Sequence, residues 1–131
     1  YYSAKALNHI TPIGWRIPTK VDVESLINEL GGDSIAGGKL KEAGYNSWDF
    51  PNHGAANEVG FAALGKGYRN ELDSIKEIGK KCFFWSLDTI RSGDTASLYL
   101  FALKLSYDSN FAELNPEDTT KGHLIRLIKD N

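Results

Sequence analysis

Three histidines, one cysteine and 17 carboxylates are the side chains of this sequence that could hold a metal or move a proton. Their spacing works against most such chemistry. His9, His53 and His123 stand far apart without a second ligand at helical or hairpin spacing, whereas zinc sites gather Cys and His in close pairs. Each histidine is therefore expected at the surface or in a capping role. Cys82 has no histidine beside it and directly precedes Phe83-Phe84-Trp85, the setting of a small buried hydrophobe rather than an activated thiol. There is no G-x-S-x-G elbow and no regular calcium loop. An irregular calcium site built from loop oxygens would leave no mark on the sequence. Around Gly38-Lys39, Asp33 stands where a phosphate loop needs its first glycine, and Leu40 where it needs Ser or Thr. Carboxylate pairs could assemble only in space, from Asp88, Asp94, Asp108, Glu113, Glu117 or Asp118, and any acidic protein of this size offers such pairs. The chain is expected to carry no catalytic residues, no cofactor and no metal.

Residues that suit binding lie elsewhere. Tyr45 and Trp48 sit in a polar stretch with Asn46, Asp49, Asn52 and His53. An exposed ring beside amides and a carboxylate suits a sugar, since the ring covers the apolar face of a pyranose while polar groups take its hydroxyls. Trp48 has two readings, ligand platform or anchor of the loop. Arg16 and Arg69 could meet an anion, but a guanidinium fork bracing loops, for example on Asp22, Glu24 or Glu58, is the alternative and the preferred reading for Arg16. Trp15 and Trp85 lie in apolar motifs and read as core.

The elements that must position these residues are helical first and stranded later. Tyr2 to Asn8 reads as a short helix with Ser3 available as its cap. Thr19, with Asp22 three residues on, resembles a capping box, and Val23, Leu26, Ile27 and Leu30 form one stripe of an amphipathic helix that Gly31-Gly32 ends. Ser34 to Gly38 makes a helical turn, and Glu42 to Glu58 is mostly loop. Cys82–Leu87, Ala96–Tyr107, Phe111–Leu114 and His123–Lys129 read as strands. Ser92-Gly93-Asp94 and Ser109-Asn110 are hairpin connections, and Asn115 to Gly122 is a longer one. This pattern is α+β.

At 131 residues the sequence is one domain's worth of chain, and 41% hydrophobic with 24% charged residues places it among globular proteins. The net charge of −2 and the scattered lysines exclude a nucleic-acid partner. No apolar run approaches the roughly 18 residues that span a bilayer. The lone cysteine excludes an internal disulfide. The sequence has no methionine and begins at Tyr1, so a preceding segment is expected.

Several segments, in order, resemble one family, the Fibrobacter succinogenes major paralogous domain. Gly14-Trp15-Arg16-Ile17-Pro18-Thr19 resembles its opening motif, and Ala36-Gly37-Gly38-Lys39-Leu40-Lys41 followed by Trp48 its A-G-x-K-L-K…W. Ala56 to Leu64 with Gly67-Tyr68-Arg69-Asn70 resembles A-T-N-E-x-G-F-x-A-L…G-Y-R-N. Phe84-Trp85-Ser86 and Ile125 to Asp130 resemble the closing motifs. The resemblance covers nearly the whole chain. It implies a single domain over 1–131, lacking its N-terminal segment, with a fold like the formylglycine-generating enzymes and C-type lectins: short helices on a small antiparallel sheet with long loops. It also implies an extracellular or cell-envelope protein of Bacteroidetes-type bacteria, with a lipid anchor on the missing segment. Thr11 and Leu127 stand where members often carry cysteines, which implies a disulfide lost as a pair. The cysteine pair of the formylglycine relatives and the histidine cluster of the iron-dependent ones are also absent. The resulting expectation is a non-catalytic binding module for a glycan or a surface protein, with Tyr45, Trp48, Asn52, Tyr68 and Asn70 as ligand residues. The alternatives are an assembly domain of a larger envelope protein and a degenerate formylglycine-type enzyme.

Overall fold

Thr19 starts the best-formed helix of the structure, a computed structural model that describes residues 1–91 and 98–129. Its hydroxyl accepts from the Asp22 backbone N–H while the Asp22 carboxylate accepts from the Thr19 N–H at 2.8 Å, the reciprocal capping box. Helix α1 (Lys20–Glu29) buries Val23 and Ile27. It ends in a Schellman motif: Gly32 N–H bonds Ile27 O and Gly31 N–H bonds Asn28 O, with Gly31 at φ 101°. Helix α2 (Asp33–Leu40) follows at once, longer than the single turn expected.

The sheets are antiparallel. Strands β1 (Tyr2–Ser3), β2 (Trp15–Arg16), β3 (Tyr68–Arg69) and β4 (Ile75–Lys76) are only two residues long. Longer strands are β5 (Lys81–Arg91), β6 (Leu98–Ser106) and β7 (Ala112–Asp118), and β8 (Gly122–His123) and β9 (Ile128–Lys129) close the chain. One sheet runs β5-β6-β7, a second β1-β8-β3-β4, and β2 pairs with β9. The α+β class therefore holds. The hairpin expected at Ser92-Gly93-Asp94 lies outside the described residues.

Three local expectations need correction. Tyr2–Ser3 is strand, and only Ala4–Asn8 is helical, as a 3-10 helix whose Ser3 cap makes no side-chain bond. The segment 123–129 is not one strand but the ends of two, belonging to different sheets. Strand β7 runs through Asn115-Pro116, where a loop was expected. Proline is tolerated there because β7 lies at the sheet edge, where one N–H per pair of residues needs no partner.

The central sheet is covered on both faces, so its strands carry apolar residues on both. Cys82, Phe84, Leu103, Leu105 and Ala112 face the helices and pack with Val23, Ile27, Ala36 and Leu40. Phe83, Trp85, Leu100 and Ala102 face the other way, onto Leu7 and Ile17. Trp85 is core as expected, but Trp15, on its two-residue strand, stays 43% exposed. Helix α2 packs so closely on the 109–111 turn that a Cβ at Gly37 would lie 2.1 Å from Phe111 O.

Glycine inside a helix normally costs about 1 kcal/mol relative to alanine, so Gly37→Ala would stabilise an unencumbered helix. Here the obstacle is backbone, which cannot rotate away. Gly37→Ala should instead lower unfolding stability by roughly 3 kcal/mol or more, measured by urea denaturation.

Candidate functional site

The C-terminal end of α2 delivers Lys41 into the protein, where it is fully buried. Its ammonium donates to three backbone carbonyls, His53 O at 2.8 Å, Ser106 O at 2.7 Å and Ser109 O at 3.0 Å. Three acceptors use all three of its hydrogens. The Trp48 ring lies 5.5 Å from the ammonium, within cation–π range. Burial pulls the Lys41 pKa down to about 8, opposed by the Asp108 charge nearby, and the group still carries its charge at neutral pH. Cys82 is buried beside it as a neutral thiol, its pKa pushed up by burial, so the small-hydrophobe expectation for it stands.

Lys41 thus clamps the loop over residues 42–58, and other bonds finish the task. Trp48 Nε1 donates to Ala63 O at 2.8 Å, and Asn52, at φ 44°, donates both amide hydrogens, to Glu42 O and Gly44 O. Asp49 N–H bonds Gly79 O at 2.8 Å, and His53 N–H bonds Tyr107 O at 2.7 Å. With its inner side committed, the loop turns Tyr45 and Phe50 outward. They are 61% and 78% exposed, with ring centroids 5.7 Å apart. Asn46, Asp49 and His53 are exposed beside them in the chain.

The five expected ligand residues do not converge. Tyr45 is on the surface, but Trp48, 1% exposed, is the loop's anchor, and Asn52 is buried within it. Tyr68 is half-buried, with its ring edge-on to Phe83 at 5.4 Å. Asn70 turns its Oδ1 onto the backbone of Leu72 and Ser74, stabilising the turn between β3 and β4. Phe50, the second exposed ring, was missed: it sits in the same loop as Trp48, and only the packing tells which of the two points inward.

Lys41 and Trp48, which fix this loop, lie in segments that resemble the motifs of one family, whose model, the Fibrobacter succinogenes major domain, matches residues 1–129. The chain belongs to that family. No curated protein and no solved structure matches it.

In this Fibrobacter succinogenes major domain the motif residues mostly build the fold. Arg16 forks onto the Asp22 carboxylate, with Nη2 to Oδ1 at 3.1 Å, and Asp22 is also the acid of the capping box. That pairing holds the Asp22 carboxyl well below its usual range. Arg69 pairs with Asp73 at 3.4 Å rather than with Glu58, which meets Lys39. Among the described residues, no three His, Cys, Asp or Glu side chains gather as a metal site, and no helix is long and apolar enough to cross a membrane.

His123 departs from expectation most sharply. Instead of lying at the surface it is fully buried, its ring 4.3 Å from Trp85 and 4.8 Å from Phe83. Among the described residues neither ring nitrogen finds a hydrogen-bond partner, and Glu117 Oε2 is 4.0 Å from Nε2. Burial, helped by the nearby Lys121 charge, pulls its pKa down to about 3 from 6.5.

Two predictions follow from these buried groups. On acidification the unfolded chain protonates His123 near pH 6.5, long before the folded one does. Stability should therefore be complete above about pH 6.5 and fall towards pH 3, by at most about 1.4 kcal/mol per pH unit. Asp22 is also held down, but its loss begins only below about pH 4. Chemical denaturation across pH 4–7 should show this slope in the parent, and His123→Phe should flatten it. Lys41→Met would take the ammonium donor away from three carbonyls, and should cost roughly 3 kcal/mol, read from the same denaturation curves at pH 7.

Proposed function

We propose that this domain is a non-catalytic recognition module that binds glycans through the Tyr45–Phe50 face of its clamped loop. The observation that carries the proposal is the pair of exposed rings held on a loop whose buried side is already hydrogen-bonded. A large exposed aromatic pair costs solubility, and without a partner it buries nothing. Pre-ordering the loop removes the entropy that binding would otherwise consume. Two rings at this separation match neighbouring sugar faces, and Asn46, Asp49 and His53 offer donors and acceptors to hydroxyl groups. The scaffold goes with this reading as one of the C-type-lectin and formylglycine-generating type, in an extracellular or cell-envelope protein.

A second reading, an assembly domain within a larger surface protein, is favoured by a different patch. Strand β4 is the edge of its sheet, and Leu72, Ile75 and Ile78 on and beside it are exposed. An apolar sheet edge accepts another strand.

The deciding measurement is thermal unfolding against a panel of soluble oligosaccharides, each with calcium and with chelator. A ligand at about 100 times its Kd should raise the midpoint by about 5–10 °C. Tyr45→Ala and Phe50→Ala should abolish that shift while changing the unliganded stability by no more than about 0.5 kcal/mol. A flat panel, or a shift that both variants retain, would overturn the glycan reading.

A further inference from the structure

The two core clusters do not merge everywhere. Between them lies an apolar pocket of about 310 Å³, floored by Phe84 and Leu103 from the helix-side cluster and by Trp85 from the other. Helix α1 contributes Val23 and Leu26, and Phe61 and Leu127 complete the walls. At about 30 Å³ per molecule the pocket would hold on the order of ten waters, yet its lining offers them few partners. Such a space favours an apolar guest, which regains the contacts and surface burial that water cannot supply.

Charge at the mouth selects the guest's head. Two residues lining the pocket carry charge, Asp22 and Arg126. The Asp22 carboxylate is consumed by Arg16, the Thr19 backbone N–H and the Thr19 hydroxyl, so its charge is compensated. The Arg126 guanidinium lies 4.6 Å from the Phe61 ring centroid, and among the described residues it has no carboxylate partner. The ring contact holds the guanidinium beside the pocket, and among the described residues no carboxylate occupies its N–H fork, which suits a planar anion. An exposed cation lining an apolar pocket, with no carboxylate partner among the described residues, is complementary to a molecule with a hydrocarbon body and a carboxylate end.

We propose that this pocket binds a small amphiphilic carboxylate, its tail between Phe61, Phe84 and Leu103 and its carboxylate on Arg126. The site is separate from the Tyr45–Phe50 face, and its occupant differs in class from a glycan.

Three probes of equal length test the proposal on the intact domain: octanoate, octanamide and octylammonium, titrated by calorimetry at constant ionic strength. Octanoate should bind roughly tenfold or more tightly than the other two, the effect of one charge-assisted fork. Arg126→Gln should erase that preference, leaving octanoate no better than octanamide. Leu127→Trp, which enlarges a half-buried wall residue into the pocket, should abolish binding of all three while circular dichroism still reports a folded chain. Tyr45→Ala should leave octanoate binding unchanged. Octylammonium binding as tightly as octanoate, a preference that survives Arg126→Gln, or no binding by any probe would overturn the proposal.

Discussion

The Lys41 ammonium is held by three backbone carbonyls from two stretches of chain, His53 in one and Ser106 and Ser109 in the other, with no carboxylate among its hydrogen-bond acceptors. A buried charge without a counter-ion is tolerable only if every hydrogen finds a well-placed acceptor. That requirement spreads outward. The carbonyls stay in place only while the 52–56 loop and the 106–111 turn lie tight against α2. This in turn excludes any side chain at Gly37 and Gly38, where a Cβ would meet Phe111 O and Gly54 O. One ammonium therefore sets the approach of the helix to the central sheet and the shape of the long loop. The exposed Tyr45 and Phe50 rings inherit their rigidity from it.

How much of this was legible in the sequence depends on how local each feature is. Helix α1 was readable end to end because its cap, stripe and terminating glycines lie within fourteen consecutive residues and act on one another directly. The Arg16 fork onto Asp22 was among the expected braces for the same reason, since six residues and a cap separate them. Two-residue strands carry no alternation to detect, so β1–β4 were invisible. Pro116 reads as a breaker, and only the edge position of β7 makes it acceptable. The loop aromatics show the limit most clearly. Tyr45, Trp48 and Phe50 are equivalent by type and surroundings, and Trp48 is the inner one because its indole N–H reaches Ala63 O. The buried Lys41 could not be told from a surface lysine, since its acceptors are backbone groups, which have no sequence identity.

His123 illustrates a different cost. Its imidazole occupies space among Phe83, Trp85 and Tyr68 as a flat aromatic, and keeps that place only while neutral. The seam between the two core clusters is thus built from side chains that do not all favour one environment. Trp85, which touches His123, also lines the apolar pocket. Imperfect closure at this seam leaves a space that a close-packed single core would have filled.

The pairing of β1 with β8 and of β2 with β9 joins the first residues of the chain to the last, Tyr2 to His123 and Trp15 to Lys129. Those partners lie far apart in the sequence. Until residues 122–129 have emerged, the first strands have no partners and the Leu7–Ile17 layer has only part of its cover. Closure of the fold therefore rests on contacts of long sequence separation, which form slowly compared with local ones. Helix α1 and the β5-β6-β7 strands draw on neighbouring sequence and can order before that closure.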